Sequence, residues 1–296
     1  MKFAARPTSL PVETRYAGGM TGTDASFSVA APPEGAPRTP LVFASPHSGA
    51  VYPADMGAAP GLSRHSLRSA EDALVDRLAA AGPAHGAPLI QGRIGRAYVD
   101  LNRDPDELDP ALVDGVEGPA GPKTAAGYGV LPRLAGDGAP LYDRRLTRSE
   151  AEARLASAHR PYHAALTELM ETARARCGRA ILVDWHSMPG RAAGADVVLG
   201  NRHGGSCRGD VTRRLSALLE AEGWRVALNR PYAGGWSTQR WGRPDDGFEA
   251  VQVELNRRLY FDETALAPSE AFPRAVRTLS RVIAGLCAAY ALDDRR

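Results

Sequence analysis

Short apolar segments that end in polar residues alternate along this chain with stretches of helical spacing, and this alternation most constrains how the chain can fold. Short apolar runs that stop at turn residues are typical of buried strands. Seven segments of this kind are PLVFAS (40–45), APLIQG (87–92), AYVDLN (97–102), RAILVDWHS (179–187), ADVVLGN (195–201), WRVALN (224–229) and GFEAVQVELN (247–256). Strands that alternate with helices favour an α/β fold with a mostly parallel or mixed central sheet flanked by helices.

The helical stretches between these segments carry apolar residues at three- and four-residue spacing. The predicted helices are 66–81, 147–177, 209–223 and 268–292. Thr147 and Glu150 form the pattern of a capping box at the start of the second helix. Pro161 interrupts that helix, which leaves two helices or one kinked helix open.

Two regions lack any sustained periodicity. Residues 1–38 are rich in Pro, Gly, Ala and Thr, which predicts an irregular N-terminal arm with one short strand around 27–30. Residues 39–296 are then expected to form one α/β domain. The glycine-dense connector 115–138 is long for a compact domain, and such loops are usually functional or mobile, so we expect a lid there.

Charge and cysteine usage exclude several kinds of partner. The 36 basic and 34 acidic residues leave a net charge of +2, too small to attract nucleic acid by charge alone. No apolar run is long enough to span a bilayer, so no membrane partner is expected. The three cysteines, Cys177, Cys207 and Cys287, form no CxxC pair, which disfavours disulfides and thiolate zinc sites and predicts a cytoplasmic protein. The oligomeric state stays open.

Polar clusters follow four of the segments, and ligands in open α/β sheets bind beyond the carboxyl ends of strands. The clusters are PHSG (46–49), DLNRD (100–104), DWHS (184–187) and ELNRR (254–258). A divalent metal held by imidazole and carboxylate would explain why His47 and His186 converge. Asp72 is a candidate third ligand, with Glu71 beside it. Two strand-end histidines bonded to backbone groups would give the same pattern, so spacing alone decides nothing.

Two further positions support more than one interpretation. Asp184 precedes His186 by two residues, so it could orient that ligand or cap the following turn. His159 and His163 are spaced as a metal pair on one helix face, but Pro161 between them weakens this interpretation. His163 is expected to touch substrate, to support a ligand from behind, or to pack as an ordinary helix histidine.

The ordered motifs resemble the N-formylglutamate amidohydrolase family over about residues 40–265. They are SPHSG, EDALVDRL, YVDLNRDP, RPYHAAL, ILVDWHSMP, ADVVLGNRHGGSC, PYAGGW and VQVELNRRLYFDE. The family is akin to the zinc carboxypeptidase and aspartoacylase group, which implies a zinc-exopeptidase-like fold. The resemblance implies Zn²⁺ held by His47, His186 and Asp72, with Glu71 or Asp76 as alternatives to Asp72. Glu254 would then be the general base.

The resemblance also implies a small-molecule substrate that carries carboxylate groups. Arginine suits a carboxylate because it can make two parallel hydrogen bonds. Arg103 is predicted to be catalytic, Asp184 and Ser187 to support the ligands from behind, and the substrate to be bound by Asn102, Arg257, Asn256, His163 and Gly234. The implied reaction is hydrolysis of N-formyl-L-glutamate to formate and glutamate. A deacylase or peptidase acting on another N-acyl amino acid, or a non-catalytic binding relative, is the alternative.

Overall fold

The computed structural model of the protein describes residues 26–191 and 194–292, and its centre is one seven-stranded sheet. The strands in chain order are β1 (Phe27–Ala30), β2 (Leu41–Ser45), β3 (Leu89–Gly92), β4 (Ala180–Met188), β5 (Val197–Gly200), β6 (Val226–Leu228) and β7 (Phe248–Asn256). Most of the N-terminal arm predicted over residues 1–38 lies outside the described residues. The short strand predicted within it is confirmed as β1.

The sheet order is β1-β3-β2-β4-β7-β5-β6, and the sheet is mixed, as predicted. Strands β3, β2, β4 and β7 run parallel to one another. At the edges, β1 is antiparallel to β3, and β5 is antiparallel to β7 while β6 runs parallel to β5. Every residue of β2, β4 and β7 is buried, because helices cover both faces of the central strands. Because β2, β4 and β7 run parallel, their carboxyl ends meet at one edge of the sheet.

Helices pack on both faces of this sheet and enclose two apolar cores. They are α1 (Arg64–Arg68), α2 (Val75–Leu78), α3 (Pro122–Ala125), α4 (Arg148–Arg154), α5 (Arg160–Cys177), α6 (Gly209–Ala221), α7 (Trp236–Trp241) and α8 (Phe272–Tyr290). One core packs α5 against the sheet, and the other packs α2, α6 and α8 against the opposite face. A two-stranded ribbon, β8 (Phe261–Asp262) and β9 (Ala267–Pro268), lies apart from the sheet. Among the residues described, no helix is long and apolar enough to cross a bilayer.

The single helix predicted over 66–81 is wrong, because α1 and α2 are separate and Leu74 between them adopts a left-handed conformation with φ of 66°. The intervening turn is held against the loop after β2. The Asp72 backbone N–H donates to the His47 carbonyl at 2.9 Å, and the Ser48 hydroxyl donates to the Asp72 carbonyl at 3.1 Å. These long-range bonds outweigh the local helical pattern and turn Asp72 toward the sheet.

The segment AYVDLN (97–102) was predicted to be a strand and is instead a series of turns. Its backbone bonds do not form a ladder: the Asp100 N–H donates to the Val130 carbonyl, and the Asn102 N–H donates to the Asp100 side chain. The segment thus ends in a compact polar loop. The stretch 231–237, predicted to be a turn, leads into α7 at Trp236.

The longest predicted helix is continuous, although it changes pitch. The capping box of Thr147 and Glu150 is present, and a π-helical turn, Leu155–His159, joins α4 to α5. Pro161 is the second residue of α5, directly after the π-helical turn, and the helix continues through it. The wider turn re-aims His159 and His163, which face the loop at 101–103.

The connector 115–138 packs into the core in its second half instead of forming the expected lid. It contains the short helix α3, and Val130 and Leu131 are fully buried. The Val130 carbonyl accepts the backbone N–H of Asp100. The connector therefore helps to fix the polar loop.

Candidate metal centre and active site

Three buried side chains meet at the carboxyl edge of the central strands. His47 follows β2, Asp72 lies in the turn between α1 and α2, and His186 lies near the end of β4. They are 1%, 1% and 3% exposed, and one ligand atom from each lies within 4.8 Å of the other two. The three residues could hold a metal ion, and no other such group of metal-ligating side chains is found among the described residues.

The structure distinguishes Asp72 from its two acidic neighbours. The Asp72 carboxylate contacts both histidines. The Glu71 carboxylate accepts the Tyr52 hydroxyl at 2.8 Å and the Arg68 guanidinium at 2.9 Å. Asp76 is the second residue of α2, and burial raises the pKa of its carboxyl group. Only Asp72 therefore stands where a shared ligand is needed.

Each histidine lies between two carboxylates. The inner Nδ1 atoms of His47 and His186 lie 3.3 and 3.0 Å from the same Asp72 oxygen, Oδ2. The outer Nε2 of His47 lies 2.7 Å from Asp100 Oδ1, and that of His186 lies 2.9 Å from Asp184 Oδ2. On His47 the Asp100 carboxylate keeps the hydrogen on the outer nitrogen, so the inner nitrogen of that ring is the one that a cation can bind.

The electrostatics of this group agree with a cation site. Burial lowers the pKa of His186, but Asp184 and Asp72 outweigh burial and raise the pKa well above its usual value. Burial raises the pKa of Asp72, yet the hydrogen bonds with His186 and His47 hold it well below its usual value. A positive charge is therefore strongly favoured between these groups, and a divalent ion can replace the proton on the inner nitrogens.

The second oxygen of Asp72 is fixed from behind. Asp72 Oδ1 accepts the Ser187 hydroxyl at 3.0 Å and Nη2 of Arg257 at 3.4 Å. Arg257 also donates to Ser187 Oγ through Nε and to the Glu71 carbonyl through Nη2. These bonds leave Oδ2 alone to face the histidines, which suits a carboxylate that binds a metal through one oxygen.

The chemistry of the donor set fits zinc. Two imidazoles and one carboxylate match the ligands that this ion prefers, and three protein ligands leave a fourth position open. Neither carboxylate oxygen of the fully buried Asp184 has a hydrogen-bond partner among the described residues, and Oδ2 lies 2.9 Å from His186 Nε2. A buried carboxylate in this state is costly unless a nearby positive charge compensates it.

Glu254 is the remaining buried carboxylate at this edge. It pairs in register with His186 across β4 and β7, so both side chains leave the same face of the sheet. Burial raises the pKa of Glu254 to about 7; His186 lowers it and Asp72 raises it. Gln252 donates to Glu254 Oε1 at 2.6 Å and accepts the Gly235 N–H at 2.7 Å. Glu254 can therefore exchange a proton near neutral pH.

Arg96 is a functional candidate that the sequence reasoning missed. Its Nε donates to Asp100 Oδ2 at 2.9 Å, and its side chain is 29% exposed. Burial lowers the pKa of Arg96, but the carboxylates of Asp100, Asp72 and Glu254 raise it. The guanidinium therefore lies in the electrostatic field of all three carboxylates. The signal in the sequence was its spacing, four residues before Asp100.

The other predicted arginines differ in their surroundings. Arg103 Nε lies 3.9 Å from Asp100 Oδ2, and its side chain is 16% exposed. The terminal nitrogens of Arg96 and Arg103 have no partner within the described part of the chain. Arg257, by contrast, uses all three guanidinium nitrogens on protein groups, with Nη1 near the Glu263 carboxylate at 3.3 Å. Arg257 therefore supports Asp72 and has little left to offer a substrate.

Asn102 and Asn256 have different hydrogen-bond partners. Asn102 Nδ2 lies 3.2 Å from His186 Nε2, and its Oδ1 accepts the Ser237 N–H at 2.8 Å. Asn256 is fully buried, and its amide bonds the backbone at Gly190, Ala195 and Arg258. Asn102 therefore lies beside the candidate metal centre, whereas the amide of Asn256 is hydrogen-bonded to backbone groups.

The last two predicted residues, His163 and Gly234, lie beside the centre. His163 Nε2 donates to the Leu101 carbonyl at 2.8 Å, and its Nδ1 is buried with no hydrogen-bond partner in the described part of the chain. Gly234 has φ of 121°, and a Cβ there would lie 2.4 Å from the Thr238 hydroxyl. Gly234 is therefore required by the turn into α7, and His163 by the polar loop.

Comparisons with known proteins agree with this geometry. The family model for N-formylglutamate amidohydrolase matches residues 39–261. An N-formylglutamate deformylase of Pseudomonas aeruginosa is 32% identical over 240 residues, which cover 77% of this chain and 84% of that protein. Another of Pseudomonas putida is 33% identical over 188 residues, 60% of this chain and 66% of that protein.

A solved structure extends the agreement to the fold. The crystal structure of an N-formylglutamate amidohydrolase from Ralstonia eutropha superposes with a TM-score of 0.84 at 36% identity, covering 90% of this chain and 98% of that one. The sequence matches and the shared fold support one family, and the buried group of His47, Asp72 and His186 is consistent with it. The chain belongs to the N-formylglutamate amidohydrolase family.

Proposed function

We propose that this protein is a zinc-dependent amidohydrolase that cleaves the formyl amide of N-formyl-L-glutamate to give formate and glutamate. The observation that carries the proposal is the buried trio of His47, Asp72 and His186, with each histidine backed by a carboxylate and Glu254 beside it. The substrate follows from the names of the relatives, which are N-formylglutamate deformylases. Three unpaired cysteines support a cytoplasmic location.

His47, Asp72 and His186 would hold the ion. Zinc in such a site supplies Lewis acidity, which polarises a carbonyl and lowers the pKa of water to about 7. Ser187 and Arg257 keep Asp72 Oδ1 occupied, so that Oδ2 stays directed at the histidines. Asp100 keeps the outer hydrogen on His47, and Asp184 places a negative charge 2.9 Å from the outer nitrogen of His186.

Glu254 moves the proton. It accepts a proton from the attacking water as the new C–O bond forms, and returns this proton to the amide nitrogen as the C–N bond breaks. A carboxyl group with a pKa of about 7 can do both at neutral pH. Gln252 fixes its orientation through the 2.6 Å bond to Oε1.

Arg96 and Arg103 provide positive charge for the substrate. Asp100 Oδ2 holds Arg96 through Nε and lies 3.9 Å from Nε of Arg103, so the terminal N–H groups of both can face outward. Arg96 is in the field of Asp72 and Glu254, which suits it to stabilise the negative charge that develops on the carbonyl oxygen. Arg103 is then the residue that grips a substrate carboxylate.

Metal content and turnover test this proposal together. Protein purified without chelator should contain close to one zinc per chain, and protein that is folded and active without metal would overturn the zinc proposal. Glu254→Gln should keep zinc and lose turnover by at least about 100-fold. Glu171→Gln, an exposed exchange of the same kind on α5, is the matched control. Equal activity in both variants would remove Glu254 as the base.

A substrate panel separates the proposed reaction from its alternatives. Formate release should be fastest from N-formyl-L-glutamate and slower from N-formyl derivatives of aspartate, alanine and methionine. Release of acetate from N-acetylglutamate at a comparable rate would indicate a broader deacylase. Zinc binding without turnover on any member would indicate a binding relative of the family.

A further inference from the structure

His163 in the motif RPYHAAL (160–166) and His159 just before it are two buried histidines that the proposed chemistry does not use. His159 closes the π-helical turn and His163 follows one turn later in α5, with their ring centroids 4.4 Å apart. They are 2% and 6% exposed, and burial lowers the pKa of both rings. Neutral imidazoles are therefore available as fixed hydrogen-bond donors.

Both rings donate to the backbone of one short loop. His163 Nε2 donates to the Leu101 carbonyl at 2.8 Å, and His159 Nε2 donates to the Arg103 carbonyl at 2.9 Å. The two carbonyls flank Asn102, so the pair holds the loop on either side of it. A continuous α-helix would aim these two positions differently, and the π turn is the local departure that precedes them.

The start of α7 holds the same loop from the other side. Trp236 lies against both rings, 5.5 Å from His159 and 4.6 Å from His163, and its Nε1 donates to Asp104 Oδ2 at 3.1 Å. The Ser237 N–H donates to Asn102 Oδ1 at 2.8 Å. The loop therefore has a hydrogen-bonded partner on each side.

The loop carries groups that orient both metal-ligating histidines. Asp100 Oδ1 accepts from His47 at 2.7 Å, and the Asn102 amide lies 3.2 Å from His186 Nε2. Arg103, the proposed carboxylate contact, is part of the same loop. Any displacement of its backbone would disturb both ligand rings and the substrate contact at once.

We propose that His159 and His163 are positioning residues that clamp the backbone at 101–103, and so set zinc affinity and substrate binding without touching either. His163 Nδ1 is sealed from solvent, so this ring cannot reach a substrate with its free nitrogen. The inference rests on the proposed function for its substrate, while the clamp itself is defined by the loop geometry.

Three variants on the same helix test the clamp. His163→Leu keeps bulk and removes the donor, and His163→Gln keeps an N–H donor at similar reach. Tyr162→Phe removes a fully buried hydroxyl that has no partner among the described residues, and is the matched control. If His163→Leu fails to fold, His159→Leu makes the same test at the Arg103 carbonyl.

Hydrogen–deuterium exchange and zinc competition give readouts that do not depend on turnover. In His163→Leu, amides of residues 100–105 should exchange faster while the central strands stay protected, and the zinc dissociation constant should rise by about 10-fold or more. With zinc saturating, KM for N-formylglutamate should rise several-fold while kcat changes less. His163→Gln should recover most of each loss, and Tyr162→Phe should match wild type.

Exchange that rises evenly over the whole chain would mean a general packing role and overturn the proposal. Unchanged zinc affinity in His163→Leu, or equal losses in Tyr162→Phe, would overturn it as well. Failure of the proposed function looks different: wild-type protein would release no formate, while the exchange and zinc measurements would still separate these variants.

Discussion

Asp100 offers the most direct test of how the centre is built, because one carboxylate serves three partners. Its Oδ1 accepts from His47 Nε2 at 2.7 Å and from the Asn102 N–H at 2.8 Å, and its Oδ2 accepts from Arg96 Nε at 2.9 Å. Burial raises the pKa of Asp100, but Arg96 and His47 hold it well below its usual value. The group is therefore charged at every pH at which the enzyme is expected to work.

The substitution Asp100→Asn keeps the shape and removes the charge. The amide oxygen can still accept from His47, but the new NH₂ group faces the Arg96 guanidinium, so a charge-assisted hydrogen bond of about 1.5–3 kcal/mol is lost. The His47 ring also loses the carboxylate that makes it a stronger ligand. Loss of such a partner typically weakens metal binding by about 10–100-fold, or about 1.4–2.7 kcal/mol.

Competition with a chromophoric chelator measures this change, and Asp106→Asn, an exposed exchange on the same loop, is the control. Chemical denaturation of the metal-free protein measures the stability change separately. A folded Asp100→Asn variant that binds zinc within about twofold of wild type would refute the role given to this carboxylate. Equal losses in the control would refute its specificity.

Three further predictions follow from named contacts. Arg257→Lys should lower the free energy of unfolding by about 1–3 kcal/mol, because a lysine cannot reproduce the bonds to Ser187, Glu71 and Asp72. The exposed neighbour Arg258→Lys should change it by less than about 0.5 kcal/mol in the same denaturation experiment. Gly235→Ala would place a Cβ 2.6 Å from the Asn102 amide nitrogen and displace this side chain, so kcat/KM should fall about 10-fold or more. Wild-type kinetics in this variant would show that the Asn102 side chain can move without affecting activity. Burial holds the pKa of His163 well below its usual value, and the nearby His159 and Arg240 lower it further, although the hydrogen bond to Leu101 raises it. Below pH 6.5 the unfolded chain therefore binds a proton there that the folded chain does not. Wild type should therefore lose stability toward acid more steeply than His163→Gln, by up to about 1.4 kcal/mol per pH unit; parallel curves would contradict this assignment.

The sequence predicted the elements whose structure depends on local pattern. Buried strands such as β2, β4 and β7 were recognisable as apolar runs that end in polar residues, and α6 and α8 as amphipathic repeats. The convergence of His47 and His186 followed from the same rule, because carboxyl ends of parallel strands share one edge. The polar loop at 100–104 was placed correctly next to the centre even though it was expected to end a strand.

What the sequence missed was decided by contacts between distant residues. The predicted helix over 66–81 breaks because Asp72 bonds to the loop at His47, a preference that no local propensity contains. Residues 97–102 alternate as a strand would, but they have no neighbouring strand to pair with and fold into turns. Arg96 gave a signal only through its distance from Asp100, whose own role was not assigned.

The sequence alone therefore determined the α/β class, the strands that carry the two histidines, and the kind of chemistry that these residue types allow. Only the tertiary structure placed Asp72, and not Glu71 or Asp76, beside the two histidines, bonded Arg257 and Asn256 to protein groups, and joined His159 and His163 to the loop. The physical reason is that burial and periodicity show in the pattern of residues that are close together in the sequence. A ligand set and the groups behind it depend on hydrogen bonds between residues that only the folded protein brings together.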